Sequence, residues 1–295
     1  RDVSASPTAF LEWRRMLGDP PIVLDATLTP DFLAELTRCA SADGVEIAAV
    51  EAPCPRGRGR TPRLATADRD ERRAAVMAAT ATLELAAEVG ADKVILKLGA
   101  LDAPGEWAEL VRAHARGQSI ADAVEHAQRR RATRSPQAFD WARFALDPLI
   151  KLAAGRGLIL ALVNRARWPE IPDSAELELL LSELRGAPLA PWFDAAAAHA
   201  REVLGFGAAT EWLATFGKSA SGAWLTDACG LLGGLPWGQG ETATSSTVTA
   251  LGSGVLPVVH CASGARIEEL TRALEKARDD RATDLGKRRS SCTAT

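Results

Sequence analysis

A single (β/α)8 TIM barrel of the α/β class is the fold that the sequence predicts, and three observations predict it. The chain has 295 residues, an ordinary length for one such barrel. Short runs rich in valine, isoleucine and leucine alternate with longer amphipathic segments, as parallel strands alternate with crossover helices. Hydrophobic residues make up 47% and charged residues 25% of the chain, so there is enough apolar surface for a large core.

Seven apolar runs of four to eight residues are predicted to form the strands. They lie at 22–28, 45–52, 93–99, 158–164, 189–194, 223–227 and 255–262. A helix pattern at 7–17 precedes the first run, so an eighth strand is expected upstream of that helix, where residues 1–5 are too few to supply it. We therefore predict a barrel whose first strand is short or missing. The alternative is an open, doubly wound sheet.

Helix-start signals fall between these runs. Ser6-Pro7 and Ser135-Pro136 each place a cap residue before proline, and Asp68 is followed three residues later by Glu71. Other helices are predicted near 30–41, 105–115, 119–133, 174–185, 196–204 and 266–278. Residues 1–280 are predicted to form one barrel domain, and 281–295 a disordered tail of charged and small polar residues.

Composition argues against several classes of protein. The net charge of -3 gives no overall attraction to nucleic acid or to an anionic membrane. No apolar run approaches the roughly 18 residues that span a bilayer. The cysteines, which lack CxxC spacing and are odd in number, indicate reduced thiols rather than disulfides or a zinc site; they are Cys39, Cys54, Cys229, Cys261 and Cys292. We expect a cytoplasmic protein with a small-molecule substrate, and leave open a homo-oligomer or a protein partner.

Polar residues stand at the C-terminal ends of six predicted strands, where barrel enzymes place their catalytic groups. They are Glu51, Lys97, Asn164 with Arg165, Asp194, Thr226 with Asp227, and His260. A charge at the end of an apolar run must be paired or solvated, because burying it alone is costly. Together these residues predict an acid/base site on one rim. The alternative is a set of salt bridges that close the top of the barrel.

A glycine-rich loop and three tryptophans adjoin this rim in the sequence. The loop at 230–241 follows a strand and includes Trp237 and Glu241, so it is predicted to contact the ligand. It lacks the spacing of a Walker or Rossmann phosphate loop. Trp192 and Trp224, with Trp237, are predicted to line the rim for a ring-shaped ligand.

Two arginine-rich segments complete the candidates. The loop at 55–63 follows Glu51 and is predicted either to bind an anionic group of a substrate or to be a solvated loop. The run from Arg129 to Arg131 is predicted to lie on a solvated helix face without a function.

Several segments, taken in order, resemble the xylose-isomerase-like TIM barrels, a group that includes sugar phosphate isomerases/epimerases and endonuclease-IV-type enzymes. They are ADRDERRAAV (67–76), LAAEVGA (85–91), VILKLG (94–99), LAAGRGLILALVNRAR (152–167), WFD (192–194), LGF (204–206) and DA (227–228) followed by PWGQGE (236–241). The resemblance covers nearly the whole chain and implies the barrel fold predicted above.

Enzymes of this group usually hold divalent metal ions with Glu, Asp, His and Glu at successive strand ends. The resemblance places Val163, Trp224 and His260 where the group has Glu, His and Glu, and Ala196-Ala197 where it has Gly-His. Asp194 is the one ordinary ligand that remains. Valine, alanine and tryptophan offer no ligand atom for a divalent ion, so we predict no catalytic metal at the usual position, and no other cofactor.

These observations give one leading hypothesis, a metal-independent isomerase, epimerase or lyase that acts on a small polar, cyclic or sugar-like molecule. Lys97 and His260 would exchange protons, and Glu51 and Asp194 would orient them or balance their charge. The residues expected to hold the ligand are Asn164, Arg165, Trp192, Trp224, Thr226, Asp227, Trp237 and Glu241.

Two alternatives remain at this stage. One is a barrel without catalysis that binds a small molecule or a partner protein. The other is a divalent-metal sugar isomerase or epimerase with shifted ligands, such as Asp194, Asp227, Glu241 and His260.

Overall fold

Seven parallel strands form one sheet that curves into a nearly closed barrel, as predicted. The structure, a computed structural model, describes residues 6–55, 59–103, 105–260 and 266–292, of which 283–292 are described by their backbone only. The expected upstream strand would involve residues 1–5, which lie outside the described residues.

The strands alternate with helices along the chain. In chain order the strands are β1 (Ile22–Leu24), β2 (Ile47–Glu51), β3 (Lys93–Leu96), β4 (Gly99–Ala100), β5 (Ile159–Val163), β6 (Glu170–Ile171), β7 (Leu189–Asp194), β8 (Gly222–Leu225), β9 (Asp227–Cys229), β10 (Leu232–Leu235) and β11 (Leu256–Val259). The helices are α1 (Pro7–Met16), α2 (Pro30–Ala42), α3 (Arg69–Glu88), α4 (Glu106–Ala115), α5 (Ala121–Arg156), α6 (Ser174–Glu183), α7 (Ala195–Val203), α8 (Ala209–Phe216), α9 (Thr244–Ala250) and α10 (Ile267–Cys292).

The strand order explains both the barrel and its opening. The main sheet runs β1-β2-β3-β5-β7-β8-β11 with every neighbouring pair parallel, while β4 with β6 and β9 with β10 form separate antiparallel pairs. Strands β1 and β11 are the two edges of this sheet. They are not paired with each other in the described structure, so the barrel has an open seam between them.

The apolar core has two layers. A small cluster fills the inside of the barrel and contains Ala49, Ile95, Ala161, Val163, Trp192 and Trp224. The larger cluster lies between the strands and the surrounding helices. Gly222 permits the inner packing, because a Cβ atom there would lie 2.1 Å from Cζ3 of Trp192.

The long segment between β4 and β5 differs from the prediction. Two helices were expected at 119–133 and from Pro136, but α5 continues through both for 36 residues. A proline inside a helix removes one backbone hydrogen bond, and contacts of the flanking turns with the barrel can offset that loss. Helix α5 ends at Gly157, whose φ of 67° is a conformation that favours glycine.

Arg131 corrects the prediction that the arginine run is a solvated face. Arg129 is exposed and pairs with Glu125, but Arg131 is buried. Its guanidinium bonds the Asp173 carboxylate at 2.7 Å, the Glu176 carboxylate, and the carbonyls of Trp168 and Glu170 at 2.6 and 2.8 Å. Arg131 therefore ties α5 to the segment that follows β5.

At the end of the chain, α10 continues to Cys292, and residues 293–295 of the predicted tail lie outside the described part. Among the helices described, none combines the length and hydropathy that a membrane span requires.

Candidate active site

The ends of the strands bring four ionisable side chains around Trp224. Glu51 ends β2, Lys97 follows β3, and His260 follows β11, as predicted. The fourth is Asp25, directly after β1, which the sequence reasoning missed. These residues and Trp224 are called the cup below.

Glu51 and Lys97 form an ion pair in the cup. Nζ of Lys97 contacts Oε1 of Glu51, and Oε2 of Glu51 accepts a hydrogen bond from the backbone N–H of Ala26 at 3.4 Å. The Glu51 side chain is 5% exposed and that of Lys97 37%, so the carboxylate is buried while the ammonium reaches solvent. The ammonium also lies 5.3 Å from the ring centroid of Trp224, within cation–π range.

Asp25 and His260 form the second pair. Oδ2 of Asp25 lies 3.4 Å from Nε2 of His260, and Oγ1 of Thr226 lies 3.5 Å from Nδ1. Thr226 donates to the backbone carbonyl of His260 at 2.8 Å, which fixes the end of β11. The hydrogen bond with Asp25 raises the pKa of His260 above its ordinary value despite partial burial. Burial by itself would raise the pKa of Asp25, but hydrogen bonds from His260 and Thr27 hold that pKa well below its usual range.

Trp224 connects the two pairs. Its ring stacks on the imidazole of His260 with centroids 5.6 Å apart and an interplanar angle of 28°. Below it, Trp192 makes an edge contact at 5.9 Å and 69°. Trp224 is therefore the floor of the cup. Trp192, predicted to line the rim, is completely buried beneath Trp224.

Asp194 and Asn164 join two neighbouring strands at the rim. Nδ2 of Asn164 donates to the carbonyl of Asp194 at 3.0 Å, and Oδ1 of Asn164 accepts from the Asp194 N–H at 2.5 Å. The Asp194 carboxylate accepts from the N–H of Ala197 at 3.0 Å and caps α7. Burial raises the pKa of Asp194, although the charges of Arg165, His260 and Lys97 oppose that shift. The rim position was predicted, but these contacts are structural.

Arg165 faces a cleft beside the cup. Its guanidinium donates to Glu170 at 2.8 and 3.1 Å, and Glu170 also binds Arg167. The cleft has a volume of about 810 Å³, and its lining includes Lys97, Arg165 and Arg167 together with Arg60 from the arginine-rich loop. Residues 56–58 of that loop lie outside the described residues. With Arg63, described next, five cationic side chains line this cleft, which reaches the cup through Lys97.

Arg63, from the same loop, also lines the cleft but is already held by carboxylates. It donates to Glu71 at 2.9 and 3.0 Å and to Asp102 at 2.6 Å. The hydrogen bond with Glu71 raises the pKa of Arg63, and the same contact lowers the pKa of Glu71 to about 2. Arg63 therefore anchors the loop to α3.

Asp227, predicted to contact the ligand, binds backbone N–H groups of the loop that follows it. It is completely buried, and its carboxylate accepts hydrogen bonds from the backbone N–H groups of Ala228, Gly238 and Thr242 at 2.8 to 2.9 Å. Burial disfavours the ionised form, but these backbone donors, first that of Thr242, lower the pKa of Asp227. Asp227 thereby folds the glycine-rich loop back on β9. The first part of the loop contains β10, which pairs antiparallel with β9.

Trp237 and Glu241 also lie away from the cup. The Trp237 ring is buried, and its Nε1 donates to Asp280 of α10 at 3.3 Å. Glu241 is 56% exposed and accepts from the N–H of Gly230 at 2.8 Å, with Nε2 of His199 at 3.5 Å. The expectation that they bind the ligand is not supported by these contacts.

The cup does not fit a divalent metal. Of the positions where the resemblance implies ligands, those held by Val163, Ala197 and Trp224 offer no oxygen or imidazole nitrogen, which leaves Asp194 and His260. Glu51 is paired with Lys97, and Asp194 caps a helix. Within the described ranges, no three His, Cys, Asp or Glu side chains are grouped as a metal site, the shifted set with Asp227 and Glu241 included.

Comparison with solved structures places the fold in a known group. The chain is similar to a D-tagatose 3-epimerase-like protein, with 16% identity, coverage of 97% of each chain and a TM-score of 0.65. It is also similar to a 3-keto-D-glucoside 4-epimerase from E. coli, with 11% identity, coverage of 93% of this chain and 95% of the other, and a TM-score of 0.65. A third match is a D-psicose 3-epimerase, solved with D-tagatose, from Clostridium cellulolyticum H10, with 14% identity, 94% coverage of each chain and a TM-score of 0.64.

The sequence comparisons add no closer relationship. No protein-family model matches the chain, and no curated protein matches it. Identities of 11–16% establish a shared fold and not a shared activity.

Proposed function

On the premise that the chain has the xylose-isomerase-like TIM-barrel fold, we propose that it is an isomerase or epimerase that moves a proton on a small polar, sugar-like molecule without a catalytic metal. One observation carries the proposal. Lys97 and His260 approach the same Trp224 ring, and each has its own carboxylate partner, Glu51 and Asp25.

The reaction is a proton transfer next to a carbonyl group. Neutral His260 removes the proton from the carbon beside the carbonyl, and the electron pair of that C–H bond moves onto the carbonyl oxygen as an enediolate forms. The resulting imidazolium, stabilised by Asp25, returns a proton to the intermediate. Return of the proton to the opposite face of the same carbon, after the intermediate turns in the cup, yields an epimer. Return to the neighbouring carbon, while the hydroxyl proton of the enediolate moves to the former carbonyl oxygen, yields an isomer, and both products have the same atoms as the substrate. His260 suits this role because its side chain is 44% exposed and so accessible from the rim.

Lys97 supplies the positive charge for the enediolate. A preorganised charge at the atom where negative charge develops is often the largest contribution to catalysis. Glu51 holds the ammonium over Trp224 and is a positioning residue, since its own carboxylate is buried behind the pair. The site thereby assigns to Lys97 the charge stabilisation that a divalent ion supplies in metal-dependent isomerases.

The neighbouring cleft supports a polar ligand. It is lined by Arg60, Arg165 and Arg167 as well as Lys97, and arginines bind hydroxyl, carboxylate and phosphate oxygens well. Arg165 and Arg167 are already paired with Glu170, so Arg60 is the cation with most freedom to contact the ligand.

A barrel that binds without catalysis is the second candidate. It is favoured by the pairing of the cup's charges. Salt bridges that close the top of the barrel would give the same two pairs, Glu51 with Lys97 and Asp25 with His260. It predicts that a ligand binds the cup but undergoes no proton exchange.

Hydrogen exchange tests the proposal. The protein is incubated in D2O, with EDTA, with the ketoses D-tagatose, D-fructose and D-psicose, which are named with the similar structures. Deuterium should enter the carbon next to the carbonyl, and ¹H NMR should show the loss of that signal. Lys97→Met and His260→Gln should each slow this exchange by roughly 10²–10⁴-fold, the usual range for an acid/base group.

Two matched variants control for general damage. Lys151→Met changes a lysine on α5 that is 74% exposed and paired with Asp147, and His126→Gln changes an exposed histidine on the same helix. Both should exchange at the wild-type rate. Exchange that survives in both cup variants would refute the roles given to Lys97 and His260. A wild type that binds these ketoses without exchange would instead support the binding barrel.

A further inference from the structure

The seam of the barrel contains a cavity of about 240 Å³. It lies between the unpaired edges of β1 and β11, where an eighth strand would stand in a closed barrel. Ile22 and Val23 line it from β1, and Leu256 and Val258 from β11. The outer side is covered by α1 and α10, so the cavity is a pocket within the fold and not an open groove.

The walls of this seam cavity are mainly apolar. From α1 it is lined by Phe10, Trp13 and Leu17, and from α10 by Leu274.

One end of the seam cavity belongs to the cup. Asp25, Glu51, Trp224 and His260 line the cavity as well as forming the acid/base site. A molecule whose polar part contacts His260 can therefore extend an apolar part between β1 and β11 without crossing solvent.

We propose that the seam cavity binds an apolar group of the ligand, an alkyl chain or an aromatic ring, joined to the polar part that the cup holds. The polar half of this inference rests on the proposed function, whereas the apolar half rests on the cavity alone. The volume is suitable, because a cavity of about 150 Å³ already accommodates benzene and the seam cavity is larger. The substrate class is then an amphipathic sugar-like molecule with a carbonyl group in its polar part, such as a keto-glycoside with an apolar aglycone; a free ketose would occupy the cup alone.

Calorimetric titration with two sets of probes tests each half. n-Butylbenzene, which has no polar part, should bind the wild type. Methyl, butyl and hexyl β-D-glucosides should bind with affinity that rises roughly fourfold for each added methylene group while the chain fits, the factor expected for burying a methylene.

Matched tryptophan variants locate the binding. Leu274→Trp places a large ring at the cavity wall, whereas Leu270→Trp makes the same change one turn earlier on α10, at a residue that does not line the cavity. Leu274→Trp should weaken n-butylbenzene binding at least tenfold and abolish the dependence on chain length, and Leu270→Trp should do neither. Val23→Phe fills the cavity from β1 and repeats the test if Leu274→Trp does not fold.

Lys97→Met separates this inference from the proposed function, since Lys97 belongs to the cup and not to the cavity wall. It should weaken the binding of all three glucosides by the same factor and leave the binding of n-butylbenzene unchanged.

Three outcomes separate the two proposals. If n-butylbenzene does not bind the wild type, the inference is wrong, whatever reaction the cup performs. If n-butylbenzene binds but the affinity for the glucosides does not change with chain length, the seam cavity and the cup do not hold two parts of one ligand. If the affinity for the glucosides rises with chain length but no ketose exchanges a proton, the inference about the cavity is supported and the proposed function is wrong.

Discussion

Oδ2 of Asp25 lies 3.4 Å from Nε2 of His260, although 235 positions separate the two residues along the chain. The contact spans the seam, because Asp25 follows the first strand of the sheet and His260 follows the last. It pairs a carboxylate whose pKa is lowered with an imidazole whose pKa is raised. The contact between Asp25 and His260, the residue to which we assign proton transfer, thus bridges the open side of the barrel at its top.

Asp25→Asn should lower the pKa of His260, because the amide removes the charge and the acceptor that favour the imidazolium. A base must be neutral, so activity should fall as pH drops through the pKa of His260, and this acidic limb should move to lower pH in the variant. The ring-proton shifts of His260, assigned with His260→Gln, measure the change. Asp43→Asn, which removes a carboxylate paired with Arg15 away from the cup, is the control. An unchanged pKa of His260 in Asp25→Asn would show that the contact is not electrostatically important.

Lys97→Met should destabilise the protein by about 1–3 kcal/mol, because it leaves the buried Glu51 carboxylate without its cation. Adding Glu51→Gln should recover part of that loss, since the amide carries no charge to be compensated. Urea unfolding of the two single variants and the double variant measures the coupling. Strictly additive changes in the free energy of unfolding would mean that the ion pair contributes nothing.

Gly222→Ala should lower the free energy of unfolding by about 1–3 kcal/mol, as overpacking does in a filled core. The new Cβ would collide with Trp192 inside the barrel, and both ring and strand are buried, so neither can move easily. Gly254→Ala, where a Cβ meets nothing within 4 Å, is the matched control and should stay near the wild type. Equal stability of the two variants would contradict the packing described for Trp192.

Arg131→Ala should cost about 3–5 kcal/mol in unfolding free energy, because the largely buried carboxylates of Asp173 and Glu176 would lose the cation that is hydrogen-bonded to both. Arg129→Ala, two positions earlier on the same helix, should change stability by less than about 1 kcal/mol, since its pair with Glu125 is exposed. Thermal or urea unfolding of both variants distinguishes a structural arginine from a solvated one. Similar losses in both would be inconsistent with the burial of Arg131.

The architecture was largely predictable from the sequence. Buried parallel strands produce apolar runs bounded by helix caps, and Ser6 and Asp68 do accept the capping hydrogen bonds that their spacing suggested. Among the described residues, β1 and β11 are the unpaired edges of the sheet, on the side where the eighth strand was expected. What periodicity could not give was the continuity of α5 past Pro136, because that depends on tertiary contacts of the turns on either side.

The site was predictable where a charged residue directly ends an apolar run, as Glu51 and His260 do. Asp25 was missed because the run was read as 22–28, which placed the aspartate inside a strand that in fact ends at Leu24. The burial of Trp237 could not be predicted, because its Nε1 donates to Asp280, 43 residues later, and no local pattern indicates that contact. The burial of Arg131 could not be predicted for the same reason, because its partners Asp173 and Glu176 lie more than 40 residues later, after β5.

The most direct measurement is elemental analysis of the purified protein combined with ketose hydrogen exchange in D2O, with EDTA and with added Mn²⁺, Mg²⁺ or Zn²⁺. The arrangement of Lys97 and His260 around Trp224 predicts less than stoichiometric divalent metal, exchange that persists in EDTA, and rates that added metal does not raise. Stoichiometric metal in the purified protein, or exchange that stops in EDTA and returns with one of these ions, would contradict the metal-independent mechanism.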